Sequence, residues 1–244
     1  MTSCSSIKNQ ESLIIIPTNE LNWIPKNCNI ENIVVSIENV VCTCNVGFEF
    51  NLHDLVKKLY KYGTKFNPAK FPASIIRFRY DNSKIAFLIF KNGKIVCCGS
   101  KNEYQARISL SKLLKFLLEN GYPTFDIYFN IQNMVCCCKL PWNINLQQLS
   151  EQYSQFCVYQ PEKFPGVIIN YTDIKPIVVL IFELGSMVIT GATNEDEIKE
   201  CLKIIPNLFK DFFLETEKIK IEIKGQHLLT STKNKLIEST FFKN

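Results

Sequence analysis

The sequence predicts an α+β fold in which a unit of roughly ninety residues occurs twice in tandem. Three observations predict it. Similar segments recur in the same order at a nearly constant offset, and each unit combines strand-like runs with two amphipathic stretches. The links between strands are short, which makes them antiparallel because parallel neighbours need a long crossover. The 244 residues, 46% of them hydrophobic, are enough to bury a core.

Internal similarity defines the repeat. Three segments of the first copy return in the second at offsets of 94, 93 and 92 residues: NVVCTC at 39–44 as NMVCCC at 133–138, FPASII at 71–76 as FPGVII at 164–169, and LIF at 88–90 as LIF at 180–182. Because order and spacing are kept, a duplication explains them better than chance. The chain is therefore divided into an N-terminal arm at 1–32, a first repeat at 33–122, a second repeat at 123–214 and a C-terminal extension at 215–244.

Both repeats have the same predicted order of elements. In the first, the patterning predicts a long strand, a short helix, three further strands and a longer helix, at 33–46, 52–62, 74–79, 84–90, 94–99 and 103–118. In the second, the long strand and the two helices are expected at 129–140, 146–155 and 194–213. Asn92-Gly93 is a hairpin turn signal, and Asn120-Gly121 is a helix stop.

The predicted strands are apolar on both faces. Residues 85–90 and 177–182 show no polar alternation, although an antiparallel sheet covered by helices on one side usually has a polar second face. Either both faces are buried in a sandwich, or the second face is an apolar binding surface. The residues alone leave both interpretations open.

Composition excludes several classes of protein. No apolar run approaches the roughly 18 residues of a membrane span, and the N-terminus lacks the basic start and apolar core of a signal peptide. Eleven cysteines without such a signal predict a reducing compartment rather than a disulfide framework. A net charge of +5 permits an acidic partner such as nucleic acid.

Catalytic and metal-binding patterns are missing from the sequence. The adjacent cysteines at 97–98 and 136–138 fall on predicted strands, where neighbours point to opposite faces and do not readily share one ion. The two histidines, His53 and His227, are expected at the surface, so no thiol has an evident histidine base. We therefore expect no metal, no cofactor and no enzymatic activity.

Motifs in both repeats resemble those of the TATA-box-binding protein family. They are NPAKF at 67–71, NGK at 92–94, GSK at 99–101, IQNMV at 131–135, YQPEKFPG at 159–166, VLIF at 179–182 and VITGA at 188–192. The resemblance runs in order from residue 37 to residue 213. It implies a tandem pseudo-twofold repeat that forms a curved antiparallel β-sheet saddle, with helices on the convex face and DNA on the concave face. A DNA-binding face accounts for the two-sided apolar strands.

The resemblance implies four DNA-binding wedges: Phe71, Phe90, Phe164 and Phe182. Such side chains enter between base steps and partly unstack them, and this family is itself a standard example of that binding mode. A phenylalanine in a strand is more often part of the core. Four of them at repeat-equivalent positions, two of which directly precede Pro72 and Pro165 in predicted turns, favour wedges.

The resemblance also implies a minor-groove floor: Asn39, Val41, Leu88, Val96 and Cys98 in the first repeat, and Asn133, Val135, Leu180, Val188 and Thr190 in the second. A·T pairs show only acceptors in the minor groove, so amide donors with close apolar contacts exclude the guanine amino group. Cys98 matches the second-repeat Thr190, and a thiol is the weaker hydrogen-bonding group. We therefore expect a weaker TATA preference in the first half.

Phosphate contacts are implied for four basic residues of the first repeat: Lys70, Arg77, Lys94 and Lys101. In the second repeat, Asn170, Ser186 and Thr193 stand where the family is usually basic. Each missing cation removes a counterion-release contribution and flattens the salt dependence of binding.

The implied function is that of a nuclear transcription initiation factor, which binds and bends AT-rich, TATA-like promoter DNA and nucleates the preinitiation complex. The implied protein partners are general transcription factors IIB and IIA and TBP-associated factors. The sequence leaves open whether two copies also associate through the apolar concave face. The family docks factor IIB at the loop that here contains Tyr159, Gln160, Glu162 and Lys163. Gln160 and Lys163 depart from the family's usual residues, so altered partner surfaces are expected.

Two other functions stay open at this point. The first is a paralogue that keeps the fold but acts mainly as a protein-interaction module with weak or altered DNA specificity. The second, less favoured, is an enzyme domain that shares half of the fold. The lack of a polar catalytic cluster counts against the enzyme.

Overall fold

The computed structural model describes residues 13–21, 31–80, 83–125, 127–171 and 176–214. They contain the strands β1 (Leu13–Pro17), β2 (Asn32–Asn45), β3 (Lys65–Asn67), β4 (Phe71–Tyr80), β5 (Ser83–Phe90), β6 (Lys94–Ser100), β7 (Asn130–Lys139), β8 (Asn143–Ile144), β9 (Cys157–Gln160), β10 (Phe164–Tyr171), β11 (Ile177–Ile181), β12 (Ser186–Ala192) and β13 (Phe213–Leu214). The α-helices are α1 (Leu52–Leu59), α2 (Glu103–Glu119), α3 (Leu146–Gln152) and α4 (Glu195–Phe209). The C-terminal extension and His227 lie outside the described residues.

One large antiparallel sheet contains both repeats. Its strand order is β3-β4-β5-β6-β2-β7-β12-β11-β10-β9, and β1 adds to the first half of β2. The two long strands β2 and β7 therefore meet in the middle, and each repeat extends outward from them. At the centre Val40 lies opposite its own repeat counterpart, Met134. This pairing is what a pseudo-twofold axis between the repeats requires.

An asparagine begins each of the four helices. Asn51 Oδ1 accepts from the backbone N–H groups of His53 and Asp54, and Asn102 Oδ1 accepts from that of Gln105 at 2.6 Å. In the second repeat Asn145 and Asn194 cap α3 and α4 in the same way. An asparagine side chain at this position satisfies backbone donors that the first helical turn leaves free. Equivalent caps thus start equivalent helices.

The core lies between the helices and one face of the sheet. Every second residue of β5 is fully buried there, namely Ile85, Phe87 and Ile89. Phe78 of β4 points the same way, because its ring packs edge-on against Phe116 of α2. The side chains between these positions point to the opposite face, since neighbours in a strand alternate. We call that opposite face of the sheet the open face.

The structure corrects several predicted boundaries and one interpretation. The strand expected at 74–79 begins at Phe71, so Phe71 and its equivalent Phe164 start strands rather than lie in turns. The helix expected at 194–213 ends at Phe209 and continues as a 3-10 turn. Strands β1, β3 and β9 were not predicted. In the described ranges the other sheet is the β8–β13 pair, so the sandwich interpretation is wrong.

Candidate nucleic-acid interface

Two equivalent rows of side chains cross the open face. Strand register links Ile75, Leu88, Val96 and Thr43 in the first repeat. The same register in the second repeat links Ile168, Leu180, Val188 and Cys137. All of them are half-buried, whereas their strand neighbours on the helix side are buried. Each half thus presents a largely apolar strip that the core does not cover.

The central asparagines lie on the open face beside each other's valines. Asn39 pairs with Val135, and Val41 pairs with Asn133, around the Val40–Met134 centre. Asn39 and Val41 are each only 5% exposed. The structure thus brings these four residues together as a compact symmetric group where the repeats meet.

A glycine bulge fixes each asparagine. The backbone N–H of Gly99 donates to Asn39 Oδ1 at 2.7 Å, and that of Gly191 donates to Asn133 Oδ1 at 2.7 Å. Both glycines have positive φ, 101° and 103°. An added Cβ would lie 2.4 Å from the Lys84 carbonyl oxygen at Gly99, and 2.3 Å from the matching oxygen at Gly191. Because an N–H can only donate, the amide oxygen must face the glycine, which leaves the NH2 group as the donor elsewhere.

The two asparagines differ in their next neighbour. Asn133 Nδ2 lies 3.2 Å from Thr190 Oγ1, so the amide and the hydroxyl form a linked polar pair. The first-repeat equivalent, Cys98, instead directs its thiol to the Ala86 carbonyl oxygen at 3.7 Å. Burial raises the pKa of Cys98 to about 11, which keeps the thiol neutral at pH 7. Within the described ranges, Asn39 Nδ2 has no such side-chain partner.

The four phenylalanines form two equivalent pairs. The ring centroids of Phe71 and Phe90 are 6.0 Å apart at an interplanar angle of 63°, and those of Phe164 and Phe182 are 5.6 Å apart at 61°. All four are half-buried and lie outside the buried core. A Cβ on Gly166 would lie 3.0 and 3.1 Å from ring atoms of the second pair. The second pair thus packs directly on the sheet backbone at Gly166.

Three of the four basic residues expected at phosphates are exposed. Lys70 lies in the turn before β4, and Lys94 begins β6. Arg77 lies between the inward-facing Ile76 and Phe78, and its charge partly offsets the raised pKa of Cys98 on the same face. In the described part of the chain none of these three forms an ion pair.

Lys101 has a carboxylate partner instead. Its Nζ lies 2.8 Å from Glu38 Oε2, and Glu38 Oε1 also accepts from Ser36 Oγ at 3.0 Å. Glu38 directly precedes Asn39, so a negative charge sits beside the central group. The second repeat has Gln132 and Thr193 at these two positions.

The loop at 159–163 is exposed at the far end of the second repeat. Its turn closes through the Lys163 N–H, which donates to the Gln160 carbonyl oxygen at 2.9 Å. The Lys163 ammonium also donates to Gln160 Oε1 at 3.0 Å. Glu162 is exposed and Tyr159 is half-buried. The two residues that depart from the family pattern therefore contact each other.

Several residues of the open face were missed. Ile75, Ile168, Thr43 and Cys137 complete the apolar rows, and Arg79 and Lys84 form an exposed basic pair across β4 and β5. Strict alternation from the predicted residues would have identified them. In the part of the chain described, no group of acidic, histidine or cysteine side chains is suited to a metal ion. Nor is any described helix both long and apolar enough to cross a bilayer.

Comparison with known proteins identifies relatives of the chain. The family described as transcription factor TFIID, or TATA-binding protein, matches residues 29–120 and 128–212. A TATA-box-binding protein from Danio rerio is 39% identical over 181 residues, and TATA box-binding protein-like 2 from Rattus norvegicus is 33% identical over 209 residues. The chain spans 58% and 59% of their lengths, and these stretches cover 74% and 85% of the chain.

Two shorter relatives are covered almost completely. A TATA-box-binding protein from Acetabularia peniculus is 36% identical, with 74% of this chain and 92% of the relative aligned. The solved structure of Methanococcus jannaschii TBP superposes with a TM-score of 0.64 at 32% identity, covering 72% of this chain and 98% of the other. The predicted α+β fold of two repeats on one antiparallel sheet is confirmed. The chain belongs to the TATA-binding protein family, whose members are DNA-binding transcription factors and not enzymes.

Proposed function

We propose that this protein is a transcription initiation factor that binds AT-rich, TATA-like DNA in the minor groove and bends it. The observation that carries the proposal is the pair of phenylalanine pairs, Phe71–Phe90 and Phe164–Phe182, on the open face of the two repeats. Aromatic side chains kept out of the core are available to enter base steps. The unstacking cost, a few kcal/mol per step, is offset by the protein surface that bent DNA covers.

The centre of the open face supports minor-groove reading. The glycine-fixed Asn39 and Asn133 present amide donors, which suit the acceptors on A·T pairs. Val41 and Val135 lie beside them, and close apolar contacts of this kind would exclude a guanine amino group. The contact would thus select A·T over G·C through one donor pair and its apolar surroundings.

In this proposal the DNA-bound protein works in the nucleus as a platform for the preinitiation complex. The exposed loop at 159–163 is the proposed contact for general transcription factor IIB. The helix side, with α2, is proposed for factor IIA and TBP-associated factors. Without DNA, the apolar open face is the proposed surface for self-association.

A second candidate function is a paralogue that acts mainly through protein partners. Glu38 favours it, because its carboxylate neutralises Lys101, one of the expected phosphate contacts, and so weakens DNA binding. The thiol of Cys98 in place of a hydroxyl acts in the same direction. Strength of DNA binding separates the two candidates.

Bending of a fluorescently labelled AT-rich duplex tests the proposal. Phe90→Ala is expected to abolish bending while the protein stays folded, because Phe90 lies outside the core. Phe87→Ala, three residues earlier on the buried face, is the matched control and should cost about 3–5 kcal/mol of stability. If the unchanged protein neither bends the duplex nor prefers it to a GC-rich one, the second function takes its place.

A further inference from the structure

The two halves of the open face carry different chemistry on the same backbone. The first repeat has four exposed cations here, Arg77, Arg79, Lys84 and Lys94. In the sequence, the equivalent positions of the second repeat are Asn170, Thr172, Pro176 and Ser186, none of which is charged; Thr172 lies outside the described residues. Conversely, Thr190 of the second repeat carries a hydroxyl, whereas the equivalent residue of the first repeat, Cys98, carries a thiol. Charge is therefore concentrated in one half and polar hydrogen bonding in the other.

The cations of the first repeat are placed at a cost to the fold. Arg79 lies directly opposite Lys84 in the β4–β5 pairing, and like charges opposite each other destabilise a sheet. Arg77 lies one step further along the same face, beside Ala86. Among the described residues none of the three has a carboxylate partner. A polyanion that lies across this half would relieve the repulsion.

Among the described residues, the second repeat offers little positive charge on its part of the sheet; the counterpart of Lys70, Lys163, lies in the turn before β10 and donates to Gln160 Oε1. Lys139 of β7 is the described cation on the sheet itself, and its ammonium donates to the Leu184 carbonyl oxygen. Burial lowers the pKa of Lys139. Lys175 lies outside the described residues. The polar feature of this half is instead the Asn133–Thr190 pair, which holds both a donor amide and a hydroxyl in place.

We propose that the two repeats divide the work of DNA binding: the first repeat anchors phosphates, and the second reads the edges of A·T pairs. The inference rests on the proposed minor-groove function and makes it asymmetric. Sequence specificity is concentrated in the half-site under the second repeat, and salt dependence in the half-site under the first.

Two duplexes of equal composition test the division of work. Both derive from a self-complementary A·T duplex and carry two changes. G·C pairs replace the A·T pairs of one half, and neutral methylphosphonates replace the phosphates of either the same half or the other half. In the opposed duplex the changes are in different halves. In the coincident duplex they are in the same half. Only the opposed duplex lets the second repeat lie on A·T pairs while the first lies on charged phosphates.

We expect the opposed duplex to bind at least about tenfold more tightly than the coincident one, since both a base mismatch and lost phosphate contacts weaken binding by such factors. Arg77→Asn with Lys94→Ser copies the second repeat and should remove most of that difference. Thr190→Cys copies the first repeat and should also reduce it. Lys115→Ser, an exposed cation on the helix side, should leave it unchanged.

The outcomes separate this inference from the function on which it rests. Equal affinity for the two duplexes, with a retained preference for the unmodified A·T duplex over G·C, overturns the division of work alone. No preference for A·T over G·C overturns the proposed function as well. A difference that Lys115→Ser reduces as much as the open-face variants do overturns the assignment of the phosphate anchor.

Discussion

Because Lys101 is paired with Glu38, we expect this protein to bind DNA more weakly than a variant in which Lys101 is free to contact a phosphate. Lys101 Nζ is 2.8 Å from Glu38 Oε2, and the two side chains are 43% and 15% exposed. The lysine is thus neutralised beside the central group. Glu38→Gln copies Gln132 of the second repeat, removes the negative charge and frees Lys101 for a phosphate.

The size of the effect follows from counterion release. One additional phosphate contact makes the slope of log K against log salt concentration steeper by about 0.9. Raising the salt from about 50 to about 200 mM should therefore weaken binding of the variant by a further factor of about 3.5. The lost ion pair is partly exposed and contributes about 0.2–1 kcal/mol to stability, so the variant should stay folded.

Fluorescence anisotropy with an AT-rich duplex at several salt concentrations measures the slope. The matched control is Glu103→Gln, which makes the same change in net charge but breaks the exposed Glu103–Arg107 pair on α2. We expect Glu38→Gln to bind more tightly at low salt with a steeper slope, and the control to do neither. An unchanged slope in Glu38→Gln, or the same change in both variants, would refute the reasoning.

Two further predictions concern stability. Gly191→Ala should destabilise the protein by about 2 kcal/mol or more, because its Cβ would meet the Pro176 carbonyl oxygen at 2.3 Å. Gly63→Ala also has a positive φ, but its added Cβ would have no atom within 4 Å, so it should cost only about 1 kcal/mol. Urea titration of the two variants measures both losses of stability. Burial raises the pKa of Cys44 from 9.0 to about 12. The stability contributed by its neutral thiol is complete below pH 9 and lost toward pH 12, so Cys44→Val should lose stability less steeply over that range.

Periodicity and the repeat were enough to predict the sheet and the placement of most candidate residues. Alternation places Leu88 and Val96 on one face, and the same rule applied to the second repeat places Leu180 and Val188. The helices can be predicted without their asparagine caps, because the same hydrophobic pattern occurs in both repeats. At the bulges with Gly99 and Gly191 the chain departs from strict alternation. The glycine is visible in the sequence, but its hydrogen bond to the central asparagine is not.

Other features depend on contacts between distant residues. Strand β1 covers only five residues and pairs with β2 in the part that precedes the first matched motif. The residues of β1 form an apolar run, but nothing near them in the sequence identifies β2 as the strand they pair with. Lys101 was predicted at a phosphate, and only the structure brings it to Glu38, 63 positions away. A long-range ion pair leaves no periodic trace in a sequence.

Comparison of the two copies within one chain separates what the fold demands from what a ligand demands. Asn39 and Gly99 have identical counterparts, Asn133 and Gly191, because the bulge geometry accepts no Cβ and the glycine N–H needs an acceptor. Exposed positions on the open face are under no such packing constraint. Arg77, for example, corresponds to Asn170. Because either residue fits the strand equally well, the difference reflects what lies on the face rather than what lies beneath it. An asymmetric ligand on a symmetric scaffold is the simplest physical reason for that pattern.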